Sequence, residues 1–309
     1  MFGCSSTTLH QKSISPKNFF NKQQIEELNS HLKVLSSDEM AGREFAKIES
    51  KQAQNYIVSS LASNKVQPFQ NRFRHLFEHK SFLSQKTGSN IIGFVKGTHF
   101  PDQYIVLSAH YDHLGKKGSK VYNGADDNAS GVAAVLIYAQ EIAKKPLKHS
   151  VIFLFTDGEE VSLLGAKAFI SQQQWLLPQI KLNINIDMIA GSKSTNKLHF
   201  IDRGLGNIFS QDEIEGFKLL SQSSNVKIKR GFKREFGGMG RATSWLTASD
   251  HGVFNREQIP FIYFGVGEHR NYHTIDDNYD NINHLFYAQA VQTIFQYLLF
   301  ADNSSYTNR

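Results

Sequence analysis

The sequence predicts an α/β protein, a mixed and centrally parallel β-sheet flanked by helices in a single domain. Three observations carry this reading. Apolar runs of strand length alternate with helical-period segments through the middle of the 309-residue chain, the order that gives parallel strands joined by crossover helices. A hydrophobic fraction of 40%, with 22 glycines and 24 phenylalanines, supplies a large core and excludes a wholly disordered chain. No run approaches the ~18 consecutive apolar residues of a membrane-spanning helix; the best, Val151–Thr156, has strand length.

Taken in order, residues 1–20 are polar and aperiodic and read as a tail. From Asn21 onward Ile25, Leu28 and Leu32 recur at helical spacing, and a second helical run extends from Ala46 to Ala62. Ser89–Val95 and Tyr104–Ala109 read as strands. Strict alternation follows: a helix from Ser130 to Lys145, strand Val151–Thr156, a helix from Ser162 to Gln173, strand Ile184–Met188. Beyond a variable stretch, residues 192–247, come a short strand Pro260–Val266 and a closing helix from Ile282 to Phe300. That stretch contains the Gly-rich Gly237-Gly-Met-Gly240, which reads as an exposed loop rather than a lid. No repeat or low-complexity linker divides the chain, so residues 21–309 are expected to form one domain with 192–247 as an insertion.

Basic residues exceed acidic ones by six, 34 against 28. They are scattered in short groups such as Lys116–Lys120, Lys144–Lys148 and Lys227–Lys233, with no recognition helix or aromatic stacking motif, so no nucleic-acid partner is expected. Cys4 is the only cysteine, which excludes an intrachain disulfide and any thiolate-built zinc site. Its setting, Gly3-Cys4-Ser5-Ser6, resembles a bacterial lipoprotein cleavage site, although no basic stretch and apolar run precede it here. The expectation is an exported protein of the periplasm or cell envelope with a membrane tether on Cys4, or a cytoplasmic one if no upstream signal exists.

The chemistry-bearing residues follow apolar strands: His110-Tyr-Asp112-His113, Asp126-Asp127-Asn-Ala-Ser-Gly131, Glu159-Glu160, Asp187 and Tyr272-His273. In an open α/β sheet, groups beyond the carboxyl ends of the strands collect in one crevice. Each has a plain structural reading: Asp126-Asp127 as a helix N-cap, Glu159-Glu160 as the acidic first turn of a helix, His273 as part of a polar loop. Their convergence on one sheet edge sets them apart. Two imidazoles and several carboxylates without thiolate suit Zn²⁺, with Mn²⁺ or Co²⁺ as rivals. A pair of ions needs a bridging carboxylate and terminal ligands for each ion, with one acid left free as general base.

This ordered set, together with Leu35-Ser-Ser-Asp-Glu-Met-Ala-Gly-Arg-Glu44 upstream, resembles the co-catalytic di-zinc aminopeptidases of the secreted bacterial leucyl-aminopeptidase type over Leu32 to Leu299. More distant relatives are glutamate carboxypeptidase and glutaminyl cyclase. The resemblance implies a zinc-dependent exopeptidase fold and two Zn²⁺ ions per chain. His110 and Asp187 would hold one ion, Glu160 and His273 the other, and Asp127 would bridge them. The family's bridging Asp stands three residues before the Ser of Ser-Gly, which selects Asp127 over Asp126. Asp112 would hold His110, Glu159 would serve as general base for zinc-bound hydroxide attacking the scissile carbonyl, and Tyr272 would polarise that carbonyl. A cis peptide after the bridging Asp is frequent in the family, which makes Asp127–Asn128 the candidate. The implied substrates are peptides with a free N-terminus. The rivals are a carboxypeptidase or dipeptidase of the same fold, with Arg241 or Arg270 for the substrate carboxylate, and a catalytically inactive binding module.

Overall fold

Four mutually parallel strands at the centre of the sheet decide where chemistry can sit. The computed structural model describes residues 18–80, 85–232, 236–237, 241–242 and 244–306; Cys4 and most of the Gly-rich segment, Gly238–Gly240, lie outside them. A nine-stranded sheet is built from β1 (Gln67–Pro68), β2 (Arg74–Lys80), β3 (Gln85–Val95), β4 (Phe100–His110), β5 (His149–Thr156), β6 (Ile180–Ile186), β7 (Lys197–Arg203), β8 (Lys227–Arg230) and β9 (Phe261–Gly265). Its order is β1-β3-β5-β4-β6-β9-β7-β8, with β2 on β3. Pairs β5-β4, β4-β6 and β6-β9 are parallel, whereas β3-β5 and β9-β7 are antiparallel. The expected mixed, centrally parallel α/β sheet is therefore the observed one.

Burial on both faces makes the central strands apolar throughout; all eight residues of β5 are buried. Successive side chains alternate between faces. Ile105, Leu107, Val151 and Phe153 pack with α1 (Lys22–Leu35), α2 (Ser50–Ser63), α3 (Gly131–Lys144), α5 (Gln211–Leu220) and α7 (His284–Asn303). Val106, Ile152 and Leu154 pack with α4 (Leu164–Gln172) and α6 (His251–Arg256) on the other face. The molecule is a helix–sheet–helix sandwich.

Several boundaries differ from the sequence reading. Phe19 and Phe20, placed in the tail, pack on Phe295 and Tyr138. The second helix starts at Ser50 rather than Ala46, because Ala46 adopts a left-handed φ of 59°. Strand β6 starts at Ile180 and ends at Ile186, leaving Asp187 just beyond it. Strand β2 was not predicted: its buried positions are His75 and Phe77 while Leu76 is exposed, so hydropathy does not follow the pleat. Within 192–247, β7 and β8 extend the sheet and α5 packs on α7.

The upstream signature folds into a tight turn in which Ala41, Gly42 and Arg43 all have left-handed φ. Gly42 is obligatory there, since a Cβ would lie 2.5 Å from the carbonyl oxygens of both Gly115 and Tyr122. The turn buries Arg43 almost completely. Its guanidinium donates to the carbonyls of Leu35, Tyr111, Asn123 and Gly124 at 2.6–2.9 Å. One cation thus ties α1 to the segments that follow β4 and precede α3. Burial lowers its pKa to about 10, opposed by the field of Asp127, Asp277 and Asp112. Replacing Arg43 by Met strips the guanidinium from the carbonyls of Leu35, Tyr111 and Asn123, while that of Gly124 keeps the Ala129 amide, and we expect a loss of on the order of 3 kcal/mol or more in denaturant-monitored stability.

Candidate metal centre

The register of the parallel strands brings their carboxyl ends level. His110, the last residue of β4, pairs with Thr156 at the end of β5, and Phe264 of β9 pairs with Ile186 of β6. Glu159 and Glu160 follow β5, Asp187 follows β6, and Tyr272 and His273 follow β9. A single π-turn over Ala125–Ser130 opens α3 and carries Asp127, whose peptide bond to Asn128 is cis. The glutamates precede α4 by several residues, so they do not form its first turn, and the first amide of α3 goes to the Asn128 side chain rather than to Asp126 or Asp127.

These residues form two clusters, His110–Glu159–Asp187 and His113–Asp127–Glu160. Asp127 faces both: Oδ1 lies 3.3 Å from His110 Nε2, and Oδ2 lies 3.1 Å from His273 Nε2. His110 Nε2 is 3.2 Å from Asp187 Oδ1, and His273 Nε2 is 3.3 Å from Glu160 Oε2. Asp126 turns the other way. It accepts from the amides of Ala190 and Gly191 and from His269 Nε2, so of the acidic pair it is Asp127 that faces the two clusters. Asp277 accepts from the amides of Asp126 and Asp127 and fixes the turn that presents the latter.

Asp112 stands behind His110, where the resemblance expects it, and carries a second task. The proton on His110 Nδ1 goes to the backbone carbonyl of Asp112 at 3.1 Å, and the carboxylate stands 3.7 Å away. That carboxylate accepts instead from the amides of Glu159 and Glu160 at 3.0 and 3.3 Å. One residue therefore orients His110 with its main chain and the glutamate pair with its side chain. Tyr272 stacks on His273 with ring centroids 3.8 Å apart. Burial, reinforced by Asp127 and Glu160, raises its pKa and keeps the phenol protonated as a donor.

The electrostatics describe a cluster built around positive charge. Burial opposes protonation of His273, yet Asp127 and Glu160 hold its pKa up at about 10. Burial likewise works against a charged His110, but Asp187 and Glu159 raise it well above the ordinary value. Glu159 is pushed far up, first by burial, then by Asp187 and Asp250 against the pull of His110. Among the described residues no lysine or arginine reaches ion-pair distance of Asp127, Glu159, Glu160 or Asp187. His273 Nε2 is buried without an aligned hydrogen-bond partner although two carboxylate oxygens stand within 3.3 Å. A nitrogen lone pair aimed between two carboxylates, in a set of imidazoles and carboxylates only, fits a divalent cation of the zinc type.

A model of peptidase family M28 matches residues 90–298. The chain belongs to peptidase family M28. It is 27% identical over 237 residues to a probable leucine aminopeptidase 2 of Aspergillus oryzae, covering 71% of this chain and 46% of that one; the chain spans about half the length, or less, of the curated relatives it matches. In fold it is similar to a leucine aminopeptidase precursor from Bacteroides thetaiotaomicron (TM-score 0.66, 18% identity, 89% of this chain and 96% of the other). It is equally similar to a glutaminyl cyclase from Fimbriiglobus ruber (TM-score 0.69, 16% identity, 92% and 98%).

Sequence reading missed several residues of this M28 site. His113, three positions after His110, stands in the segment that follows β4 but has no role in the sequence reading. Tyr263, in the middle of β9, faces the same cavity of about 80 Å³ as Glu159 and Tyr272, alongside Met188, Trp245 and Ala248. Asp250 is fully buried and receives the Thr156 hydroxyl. Beneath Asp187, Ser108 donates to Asn185, which donates to Ser249. Arg270 lines an adjoining recess of about 370 Å³ that shares Trp245 and Gly267 with the cavity. Arg241's side chain lies outside the described residues.

His251 closes this network from α6, with Nε2 2.7 Å from the Trp245 carbonyl. Burial lowers its pKa to about 4. The unfolded chain takes up a proton near pH 6.5 that the folded one refuses until about pH 4, so stability falls as pH drops through that window. We expect this single group to contribute a loss on the order of 3 kcal/mol by pH 4. Denaturant titrations of wild type and His251→Asn should differ in slope between pH 6.5 and 4; parallel curves would remove His251 from the acid response.

Proposed function

We propose that this chain is a zinc aminopeptidase that removes N-terminal residues from peptides. The observation that carries the reading is Asp127, one carboxylate with an oxygen turned to each of two ligand clusters, beside a Glu159 that belongs to the cavity wall. His110 and Asp187 would hold one Zn²⁺, His273 and Glu160 the other, with Asp127 shared. Two zinc ions there would supply Lewis acidity toward the scissile carbonyl and a nucleophilic water at neutral pH.

The remaining work falls to side chains. Glu159, whose buried carboxyl has a raised pKa, is a stronger base than an exposed glutamate. It accepts the proton of the attacking water and returns it to the departing amine. Tyr272 keeps its proton and donates to the oxygen that becomes negative. Met188, Trp245 and Ala248 offer an apolar wall to the side chain of the terminal residue. Export with a lipid on Cys4 belongs to the same proposal and is tested by the coding sequence upstream of Met1.

Glu159→Gln keeps shape and hydrogen bonding but cannot take a proton. Turnover is expected to fall ~10²–10⁴-fold with zinc content unchanged by elemental analysis; equal turnover would remove Glu159 as the base. Direction along the peptide is read with a matched pair, a leucyl peptide and its N-acetylated twin. We expect cleavage of the free peptide only, one residue at a time from the N-terminus. Release from the carboxyl end, or comparable cutting of the acetylated peptide, would favour the carboxypeptidase reading, which Arg270 in the adjoining recess supports.

A further inference from the structure

We propose that His113 is a positioning residue for the second metal site: its Nδ1–H holds Glu160 Oε1 and leaves Oε2 for the ion. The proposal rests on the two-ion reading above. The His113 side chain is entirely buried. Nδ1 lies 2.8 Å from Glu160 Oε1 with hydrogen-bond alignment, and 3.7 Å from Asp127 Oδ2, beyond hydrogen-bond reach. His273 behaves oppositely, close to an oxygen of each carboxylate and aligned with neither. The two imidazoles face the same glutamate from its two oxygens, one as a hydrogen-bond donor and the other as a cation ligand.

The tautomer follows from the surroundings. His113 Nε2 is buried with no partner. A proton there would be an unpaired buried donor and would set a bare Nδ1 lone pair against a carboxylate oxygen at 2.8 Å. With the proton on Nδ1, the hydrogen bond forms and Nε2 is only an idle lone pair. The ring cannot drift, because it lies against the backbone of Gly124, where φ is +56° and a Cβ would come within 2.5 Å of His113 Cδ2. The His113 amide donates to the Arg43 carbonyl at 3.3 Å, and Glu44 bridges His113 in parallel. The upstream signature Met40-Ala-Gly-Arg-Glu44 thereby reaches the second metal site through one imidazole. Hydrogen bonds behind ligands of this kind are typically worth ~10–100-fold in metal affinity.

The experiment compares the full-length wild type with His113→Phe, His113→Asn and His113→Gln, each stripped and reloaded. Zinc stoichiometry and stepwise affinity come from chelator competition, and visible absorption of the Co²⁺-loaded forms reports the ligand field. Asparagine places an amide donor near the position of Nδ1; glutamine carries it further out, near Nε2. We expect the wild type to bind two ions. His113→Phe and His113→Gln should weaken one of them ~10–100-fold and spare the other, whereas His113→Asn should stay within a few-fold of wild type with an unchanged Co²⁺ spectrum. Should His113→Phe fail to fold, the Asn–Gln contrast between two polar variants carries the test. Wild-type affinity in His113→Gln would overturn the proposal. So would a His113→Asn variant as weak as His113→Gln, or one with an altered spectrum, because the imidazole itself would then be a ligand. A wild type that binds fewer than two ions defeats the two-ion reading first, and is recognised before any variant is compared.

Discussion

Four carboxylates, Asp127, Glu159, Glu160 and Asp187, stand together at one sheet edge with no lysine or arginine at ion-pair distance among the described residues. Taking such charges out of water is costly unless each is paired and hydrogen-bonded. The surrounding structure consists largely of devices that meet this cost. Three imidazoles stand against the acids, and backbone amides donate to the acids that support them, Asp112, Asp126 and Asp277. Rigid parallel strands hold the positions. The same crowding is what would draw a divalent cation, so the feature that burdens folding is the one on which the proposed chemistry rests.

Arg43 solves a related problem one layer out. The loop after β4 and the turn before α3 carry residues of the candidate site from distant parts of the sheet, and their carbonyls point inward toward Arg43. A planar guanidinium with five donors satisfies four of them at once. Lysine, a compact cation with a flexible stem, does not reproduce that fork. The left-handed turn through Ala41, Gly42 and Arg43 is the local distortion that delivers it.

Supporting residues in this site rarely have one task. Asp112 orients His110 through its carbonyl and the Glu159-Glu160 pair through its carboxylate. Asp126, adjacent to the acid that faces both clusters, ties the turn before α3 to the segment after β6 and to His269. Neighbouring acids with the same sequence appearance thus do opposite work, one facing the imidazoles and the other facing the scaffold.

Sequence pattern alone was enough for the sheet class, the order of its central elements and most of the acids and imidazoles at its edge. These are written in local pattern: apolar runs buried on both faces, helical periods between them, and polar residues where each strand ends. Tertiary structure alone decided what depends on long-range approach. Strand β2 pairs through a buried His75 and an exposed Leu76, against its own hydropathy. His113, Tyr263 and Asp250 joined the site because strand register and loop packing brought them there. The strand-end position of His113 was legible, but nothing local said that it would be sealed against a glutamate 47 residues away. The direction of each side chain, Asp127 toward the imidazoles and Asp126 away from them, was fixed only when the chain closed on itself, because orientation there is set by partners distant in sequence.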